Sequence, residues 1–289
     1  MISIFGKPAF LNTNPGQSFA YQGQVPKHGY LMRVSSMIRG DQIADQIGAR
    51  FNPDSGYEND VCIYVKPHLK KDDMDFKFEG RKSYLDMIDG HNLGLLMVKY
   101  PQVGVIVCSE IDKETMAKCI KNEIVVIPQH HCNFDRERRT REGIRTVGVI
   151  GTRDAFPMLP PELKPELAKR GIELLEFCKF FTRKDIVDFY KQIDVQIVWR
   201  PYKKLLSNPL KIVNAASFGI PTIAFDELAF QRELGGYYLP VDSLVGFLEA
   251  LDGLVASPNM YFDYSERCFA KAEAYHIEKI GQLYKSLDI

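Results

Sequence analysis

The stretch WRPYKKLLSNPLKIVNAASFGIPTIAFDELAFQRELGG, residues 199–236, contains the pattern that decides the fold. The apolar run VQIVW leads into it and predicts a buried strand, after which apolar residues recur at helical spacing. Asn208 and Pro209 stand in the order favoured at a helix start, and Gly219 marks the helix end. PTIAF then predicts a second buried strand. A strand, a helix and a strand in succession predict a parallel α/β sheet.

The start of this helix predicts a site for an anion. Ser207 and Asn208 precede Pro209, so backbone N–H groups there point toward whatever lies in front of the helix. Lys211 lies in the first turn, where a positive charge opposes the helix dipole, and a bound anion within its reach explains that position. An exposed lysine on the helix surface is the alternative interpretation.

The string NAASFGIPTIAF, followed by a segment with Glu233, resembles the nucleotide-sugar site of retaining GT-B-fold glycosyltransferases of the group 1, family 4-like type. Those enzymes typically read E-A-x-A-x-G-x-P-V-I-A there, and Ala215, Gly219 and Pro221 match. The resemblance covers residues 146–252 and, more faintly, the rest of the chain. It implies two Rossmann-like domains facing each other across a cleft, with a sugar donor bound by the second domain.

The same alignment shows where the chain departs from the family. Two glutamates of the family pattern align with Leu206 and Asn214, so both carboxylates are missing. Asparagine can still donate to or accept from a ribose hydroxyl, but it carries no charge. This loss leaves open a catalytically degenerate protein that only binds a nucleotide sugar or a glycan.

Length and composition favour a two-domain cytoplasmic protein. The 289 residues suit two α/β domains, and 37 Lys and Arg against 37 Asp and Glu leave no net charge to attract nucleic acid. The six cysteines are scattered without a C-x-x-C pair, which favours free thiols in a reducing compartment. No window approaches the ~18 apolar residues of a transmembrane helix, so only peripheral contact with a membrane stays open.

Apolar runs and helical patterns alternate along the chain, which predicts two doubly wound parallel sheets. The predicted strands are ISIF, YLMRVSS, VCIYV, YLDMID, VGVIVCS and IVVIP in the first half, and TVGVIG, IELLEF, VQIVW, PTIAF and YYLPV in the second. The pattern breaks at QHHCNFDRERRTREGIR, a predicted solvated linker. The predicted domains are residues 1–140 and 141–275, and the resemblance implies that a last helix, 276–289, crosses back to the first domain.

Donor-binding residues are predicted at strand ends of the second half. Gly151, Thr152 and Arg153 follow its first strand, where glycine admits a phosphate and arginine stabilises a departing diphosphate. A lysine that follows in the family is absent, and Lys211 takes its role. The other predicted donor contacts are Arg183, Arg200, Tyr202, Ser207, Asn208, Asn214 and Glu233. Helix caps and solvated surface charges are the alternative interpretations of these positions.

Acceptor-side residues are predicted in the first half. The predicted strand YLDMID ends with Asp89, and His91 lies two residues later, so that either side chain is placed to orient an acceptor hydroxyl. An N-cap role is the alternative for Asp89. Arg39 and Lys66, after neighbouring predicted strands, also point basic groups at this edge of the sheet.

The remaining motifs predict no cofactor. His130, His131 and Cys132 are adjacent and cannot all bind one tetrahedral ion without distortion, so no metal site is predicted. No G-x-G-x-x-G follows a strand, which argues against NAD. Acidic residues dilute the arginines of the linker and no aromatic residues interleave with them, so nucleic acid is not a predicted partner.

The predicted function is transfer of a sugar from a nucleoside diphosphate sugar to an acceptor hydroxyl, without a bound metal. Retention of configuration is implied by the resemblance alone. A nucleotide-sugar epimerase is a rival interpretation, with Asp86, Asp89 and His91 as its nearest acid–base set. The sequence leaves open the sugar, the base, the oligomeric state and the acceptor, whether a polysaccharide, a lipid-linked glycan, a protein or modified DNA.

Overall fold

The computed structural model describes the chain except for residues 7–33, 68, 71–72, 75, 141, 179, 181 and 202–207. The described residues form two compact units. The first comprises residues 1–6, 34–130 and Ile277–Ile289, and the second comprises His131–His276, with the gaps just given. The limits suggested by the sequence lie after residues 140 and 275 and stay predictions.

The described part of the first unit contains eight short strands: β1 (Ile2–Gly6), β2 (Arg50–Phe51), β3 (Val61–Val65), β4 (Leu69–Lys70), β5 (Asp73–Met74), β6 (Lys82–Asp86), β7 (Gly104–Val107) and β8 (Ile124–Val126). Six of them form a parallel sheet in the order β2-β1-β3-β6-β7-β8, while β4 pairs with β5 antiparallel. Every residue of β3 is buried, because a central strand of a parallel sheet is covered on both faces.

Helices of the first unit connect these strands: α1 (Val34–Ser36), α2 (Gln42–Ile47), α3 (His91–Leu96) and α4 (Glu110–Met116). A π-helical turn, Met37–Asp41, joins α1 to α2. The prediction of a strand at YLMRVSS is therefore wrong over its described end, Val34–Ser36, where the local preference of valine for strands yields to a continuing helix. Gly48 ends α2 at φ 72°, the left-handed conformation that favours glycine.

The second unit contains a five-stranded parallel sheet. Its strands are β9 (Thr146–Ile150), β10 (Glu173–Phe177), β11 (Val195–Val198), β12 (Thr222–Phe225) and β13 (Leu239–Val241), in the order β10-β9-β11-β12-β13. Its described helices are α5 (Leu163–Lys169), α6 (Arg183–Tyr190), α7 (Leu210–Ala216), α8 (Leu228–Leu234), α9 (Leu244–Ala256) and α10 (Pro258–Ala272).

Successive residues of β11 face opposite sides of the sheet and enter different cores. Ile197 packs in a cluster with residues of α5 and α9, whereas its neighbour Val198 packs with residues of α7 and α8. Side chains alternate across a strand, so this division shows that helices cover both faces. The second sheet is therefore doubly wound, and its central strand β11 is buried throughout because helices cover both of its faces.

Each sheet reverses its strand order once. In the first sheet β1 lies between β2 and β3, and in the second β9 lies between β10 and β11. Both central orders correspond to the 2-1-3-4-5 order of flavodoxin-like sheets, in which ligands bind at the carboxyl ends of the two strands that flank the reversal. The predicted fold class of two Rossmann-like parallel sheets is confirmed, and the switch points show where on each sheet to look for a ligand.

The last helix, α11 (Ile277–Lys285), belongs to the first unit although it follows the second in sequence. Ile277, Ile280 and Tyr284 are buried there, and Gly281 lets the helix approach Ile47 of α2 closely. Across the part of the chain that the structure describes, no helix combines the length and the apolar character needed to cross a membrane.

Candidate functional site

Three predicted donor residues lie directly after β9, at the switch point of the second sheet. Gly151 is buried, and its N–H donates to the carbonyl of Phe177 at 3.1 Å. Thr152 and Arg153 are exposed, and Arg153 begins the 3-10 helical turn Arg153–Met158. No described residue pairs with the Arg153 guanidinium. An exposed, unpaired arginine at this position suits a phosphate ligand.

Arg200 lies after β11, on the other side of the same switch point. Its Nε is 2.8 Å from Oε1 of Glu227, and its guanidinium lies 5.3 Å from the centre of the Phe230 ring. The contact with Glu227 is one of charge, since neither atom has the alignment of a hydrogen bond. Glu227, whose side chain is 1% exposed, thus holds Arg200 in place. Sequence reasoning missed Glu227, although it lies just after β12.

The helix start predicted to bind an anion is present at α7. Asn208 Oδ1 accepts a hydrogen bond from the backbone N–H of Leu210 at 3.0 Å, but Pro209 occupies the N-cap position, so the predicted order of a cap at Asn208 followed by proline in the first turn is wrong by one residue. Lys211 lies in the first turn, and its backbone carbonyl accepts a hydrogen bond from Gln196 Nε2 at 3.1 Å. Tyr202 and Ser207, together with Leu206, lie outside the described residues.

Asn214 and Arg183 both hold the chain segment that enters the second unit. Asn214 Oδ1 accepts a hydrogen bond from the N–H of Cys132 at 2.9 Å, and Arg183 Nη1 donates to the carbonyl of Cys132 at 3.0 Å. Arg183 also lies 4.5 Å over the ring of Phe134 and 3.3 Å from Asp135. Two predicted donor contacts are therefore engaged by the protein's own backbone, and the Asn214 side chain is also hydrogen-bonded to the buried Tyr190.

The prediction that the arginine-rich segment is a solvated linker is wrong over the described residues 131–139. Asn133 is buried, and its side chain donates to the carbonyls of Glu137 and Ser217, each at 2.7 Å. Arg139 pairs with the buried Asp194 at 2.9 Å. The local composition suggested that this segment is solvated. Its hydrogen-bond and ion-pair partners Ser217 and Asp194 lie far along the chain, outside any local window. The segment is a packed part of the second unit.

Glu233, a predicted donor contact expected in a loop after PTIAF, does not lie in a loop after β12. It lies on α8, one residue before the helix ends at Leu234. The helix runs back from the carboxyl edge of the sheet, so Glu233 lies toward the amino edge. Burial raises the pKa of Tyr275 there to about 12, and the charge of Glu233 adds to that rise. The segment between β12 and β13 has an acidic start and a glycine end, but it forms a helix because of its tertiary packing. Glu227, not Glu233, lies at the carboxyl edge of the sheet.

Asp89 and His91 follow β6 at the carboxyl edge of the first sheet. Asp89 Oδ2 lies 3.5 Å from Lys66 Nζ, which follows the neighbouring strand β3. Asp89 does not cap α3, since Gly90 occupies the N-cap position, and the N-cap interpretation is wrong. His91 Nε2 lies 3.6 Å from Oδ1 of Asp112, a residue of α4 that the sequence did not single out.

The backbone is strained at these same strand ends. Lys66 has φ 41° and Ile88 has φ 45°, in the left-handed region that disfavours residues with a side chain, and most of all β-branched ones. Such conformations persist only where surrounding structure imposes them, and they cluster at functional sites. The two neighbouring strand ends of the first sheet thus carry both charged side chains and stored strain.

Arg39 was predicted to point to the edge of the sheet, but it is fully buried in the π-helical turn. Its Nε donates to Oδ2 of Asp86 at 2.6 Å, and the Tyr284 hydroxyl donates to the same oxygen at 2.8 Å. Burial opposes the charge, but the Asp86 carboxylate outweighs it and raises the pKa of Arg39 above its ordinary value. We call Arg39, Asp86 and Tyr284 the buried triad.

The described histidines and cysteines do not form a metal site. His130 Nε2 contacts the carbonyl of Ile38 at 2.8 Å, and His131 Nδ1 accepts the N–H of Asn133 at 3.2 Å. Burial raises the pKa of the Cys132 thiol to about 12, so it stays protonated. Among the described residues, no group of three or more His, Cys, Asp or Glu side chains is placed to hold a metal ion.

Comparison with solved structures shows which known proteins have a similar fold. A glycosyltransferase from Rickettsia africae superposes with a TM-score of 0.54 at 11% identity, over 99% of this chain and 96% of that one. The pneumococcal O-GlcNAc transferase GtfA, solved with UDP and GlcNAc, gives 0.53 at 13% identity, over 90% of this chain and 61% of that one. The chain has a GT-B-like fold. Anabaena HepE, solved with UDP, shares this fold at a TM-score of 0.51 and 12% identity, over 79% of this chain and 72% of HepE.

One curated relative matches the GT-B-like chain in sequence. It is an uncharacterized glycosyltransferase of Haemophilus influenzae, 25% identical over 124 residues, which are 41% of this chain and 34% of the relative. The chain therefore covers about a third of that relative's length. No protein-family model matches the chain.

Proposed function

We propose that the protein is a glycosyltransferase that moves a sugar from a nucleoside diphosphate sugar to an acceptor hydroxyl. The observation that carries this proposal is an exposed Arg153, without a partner among the described residues, at the switch point of the second sheet in a GT-B-like fold. Solved relatives of that fold include complexes with UDP, so a uridine diphosphate sugar is the first donor to test. We assign donor binding to the second unit and acceptor binding to the strand ends near Asp89 and His91 in the first.

The proposed reaction is metal-independent and needs no further cofactor. Arg153 and Lys211 would stabilise the charge that develops on the leaving diphosphate, a role that preorganised cations fill without a metal. The acceptor oxygen would bond to the anomeric carbon as the bond from that carbon to the phosphate oxygen breaks. The leaving diphosphate would take the acceptor proton on the same face, which retains the anomeric configuration. The resemblance in sequence supports retention.

A binding protein without transferase activity is a second candidate, and Asn214 favours it. This residue stands where the family has a glutamate, and its oxygen accepts the N–H of Cys132 instead of being open to a ribose. The missing carboxylates would weaken donor binding or catalysis. An epimerase gains no comparable support, because Asp86 is buried in the triad and is not accessible to a substrate. The cytoplasmic location stays a prediction, with all six cysteines free.

A thermal-shift screen with UDP, GDP, CDP, ADP, TDP and NAD tests donor binding. A ligand at a hundred times its dissociation constant adds about 2.7 kcal/mol of stability. We expect one nucleoside diphosphate to stabilise the wild type, and Arg153→Ala and Lys211→Ala to weaken that shift. Lys164→Ala, an exposed lysine on α5, is the matched control and should keep it. A shift with NAD alone would contradict the proposal.

Release of the free nucleotide then separates an enzyme from a binder. We expect slow hydrolysis of the matching nucleotide sugar in the absence of an acceptor, measured as liberated diphosphate, and its loss in Arg153→Ala. Tight binding without any turnover, with or without an acceptor mixture, would favour the binding protein.

A further inference from the structure

A basic pocket lies at the amino edge of the second sheet, away from the predicted donor residues. It has a volume of about 450 Å³ and is lined by Gly235, Gly236, Tyr237, Arg267, Ala270 and Lys271. Strands of a parallel sheet all run the same way, so the connection from the end of α8 to the start of β13 lies opposite the carboxyl ends of β9 and β11. A ligand in this pocket does not occupy the donor site.

Two cations of α10 line this pocket. Arg267 and Lys271 are four residues apart, and side chains at that spacing lie together on one face of a helix. Among the described residues, no acidic side chain pairs with either of them. Elsewhere in this unit, six arginines do pair with a carboxylate: Arg136, Arg138, Arg139, Arg170, Arg183 and Arg200. Like charges at this spacing repel, and a bound anion would relieve that repulsion.

Aromatic rings hold both cations in place while leaving their N–H groups available. The Arg267 guanidinium lies 4.5 Å from the centre of the Tyr264 ring, and Lys271 Nζ lies 5.3 Å from that of Tyr237. A cation over a ring face is oriented without using its hydrogen-bond donors. The site is therefore preorganised for a ligand that accepts several hydrogen bonds.

A glycine turn forms the opposite wall and is tied to α10. The N–H of Tyr237 donates to the carbonyl of Leu234 at 2.9 Å, and Gly236 has φ 83°, which fits the third position of a type II turn and requires glycine. The thiol of Cys268, between the two cations in sequence, donates to the carbonyl of Tyr237 at 3.0 Å. These bonds fix the distance between the turn and the two cations.

We propose that this pocket binds a phosphate group carried by an organic molecule other than the sugar donor. Arginine offers a planar fork to phosphate oxygens and lysine adds a point charge, while the two glycines let the ligand approach the backbone. The pocket has room for more than a phosphate ion, which suits a phosphate carried by a larger molecule. The phosphate belongs either to a soluble phosphate ester or to a phospholipid headgroup. Its binding in this pocket does not depend on transferase activity.

Two binding assays distinguish these sources. The first titrates inorganic phosphate at constant ionic strength by calorimetry, and the second measures sedimentation with vesicles of phosphatidylcholine, with and without phosphatidylserine. The test variant is Arg267→Gln/Lys271→Gln, which keeps side-chain stems over the rings. The control is Arg145→Gln/Lys164→Gln, which removes the same charge from exposed positions of the same unit. Arg267→Gln and Lys271→Gln alone serve if the double variant does not fold, as judged by Trp199 fluorescence.

We expect the test variant to bind phosphate on the order of tenfold more weakly than the wild type, with the control unchanged. If the test variant loses binding in the phosphate assay alone, the ligand is a soluble ester. If it loses binding to phosphatidylserine vesicles, the ligand is a lipid headgroup. Phosphate bound at the donor site is displaced by UDP, whereas phosphate in this pocket is not. Equal binding by all variants in both assays, or none by the wild type, would overturn the proposal without bearing on donor binding.

Discussion

At the scale of single residues, the buried triad is the most consequential polar group of the first unit. Arg39 and Asp86 are 1% and 0% exposed, and among the described residues each is the ion-pair partner of the other. A lone charge left in such a place costs far more than a lost surface ion pair. Arg39 also donates to the carbonyls of Ile127 and Pro128, so the triad ties the π-helical turn to the end of β8.

We predict that Asp86→Ala destabilises the first unit by about 3–5 kcal/mol, because it leaves the buried Arg39 uncompensated. Tyr284→Phe removes one hydrogen bond and keeps the ion pair, so its cost should be about 1–3 kcal/mol. Native-state hydrogen exchange of β3 and β6 amides measures both. Tyr57→Phe is the control, since its hydroxyl meets Glu79 at the surface. Equal effects of all three variants would refute the special role of the triad.

Asp60 makes the stability of the first unit depend on acid pH. Burial alone would raise its pKa, but hydrogen bonds from Arg50 and Ser3 and the charge of Arg50 outweigh burial and lower it. Because the pKa is lower in the folded chain, the unfolded chain takes up protons first as pH falls. The stabilisation is therefore present above the ordinary carboxyl pKa of 3.8 and is lost as pH falls through the lower, folded value.

We predict that the urea midpoint, followed by far-ultraviolet circular dichroism, falls less steeply with acidification in Asp60→Asn than in the wild type. The variant should also be less stable at neutral pH, where it lacks the bond to Arg50. Asp54→Asn, at an exposed position, is the control and should keep the wild-type slope. Parallel pH profiles for wild type and Asp60→Asn would show that this carboxylate carries no such linkage.

At the scale of elements, close packing on the second sheet depends on one glycine of β9. A Cβ at Gly148 would lie 2.4 Å from Ile193 Cγ2 and 2.9 Å from the Phe189 ring. Real Cβ atoms do not approach so closely, so alanine would push α6 and the following loop from the sheet. Gly253 on α9 offers the opposite case, since nothing lies within 4 Å of a Cβ there.

We predict that Gly148→Ala destabilises the second unit by about 1–3 kcal/mol through overpacking. Gly253→Ala should instead stabilise it by about 0.5–1 kcal/mol, because alanine restricts the unfolded chain and favours helix. The fluorescence of Trp199 reports both changes, as it is the single tryptophan and packs in the core of this unit. If both variants destabilised the second unit, the contacts around β9 would not decide how alanine at Gly148 and alanine at Gly253 differ in their effect on stability.

The same elements show what the sequence could predict. VCIYV and VQIVW were predictable as buried strands because parallel strands covered on both faces read as unbroken apolar runs. The donor-side arginines after β9 and β11 were predictable because such loops lie at strand ends. Whether these residues bind a donor stays a prediction. The burial of Arg39 was not predictable, since its partner Asp86 is 47 residues away and Tyr284 is 198 residues from Asp86.

At the scale of the whole molecule, the chain returns to its first unit after completing the second. Local pattern identified the last helix, and only the resemblance suggested its destination. The reason lies in contacts that no local window contains: Tyr284 with Asp86, Gly281 with Ile47, and the terminal amine with Asp288 at 3.0 Å. The first unit is thus completed by residues that follow the second unit in sequence.

We therefore predict that deletion of Ile277–Ile289 unfolds or severely weakens the first unit. Ile280, Tyr284 and Leu287 would be lost from its core, and burial of one such apolar side chain contributes about 1.5–3 kcal/mol. Their sum, with the exposed triad, approaches the ~5–15 kcal/mol of a whole domain. Hydrogen exchange of β3 and β6 should speed up by at least about a hundredfold, or about 2.7 kcal/mol at 1.36 kcal/mol per tenfold.

Deletion of Asp288 and Ile289 alone is the control for this truncation. It removes ion pairs with Arg81 and the terminal amine, whose side chains or groups are more than half exposed, and should cost little. Comparison of the full deletion with Tyr284→Phe in the intact chain also tests the triad. Tyr284→Phe removes the hydroxyl alone, whereas the full deletion removes both the hydroxyl and the helix. If the full deletion left β3 and β6 as protected as the control does, the last helix would be an accessory to the first unit, and the buried Arg39–Asp86 pair would be stable without it.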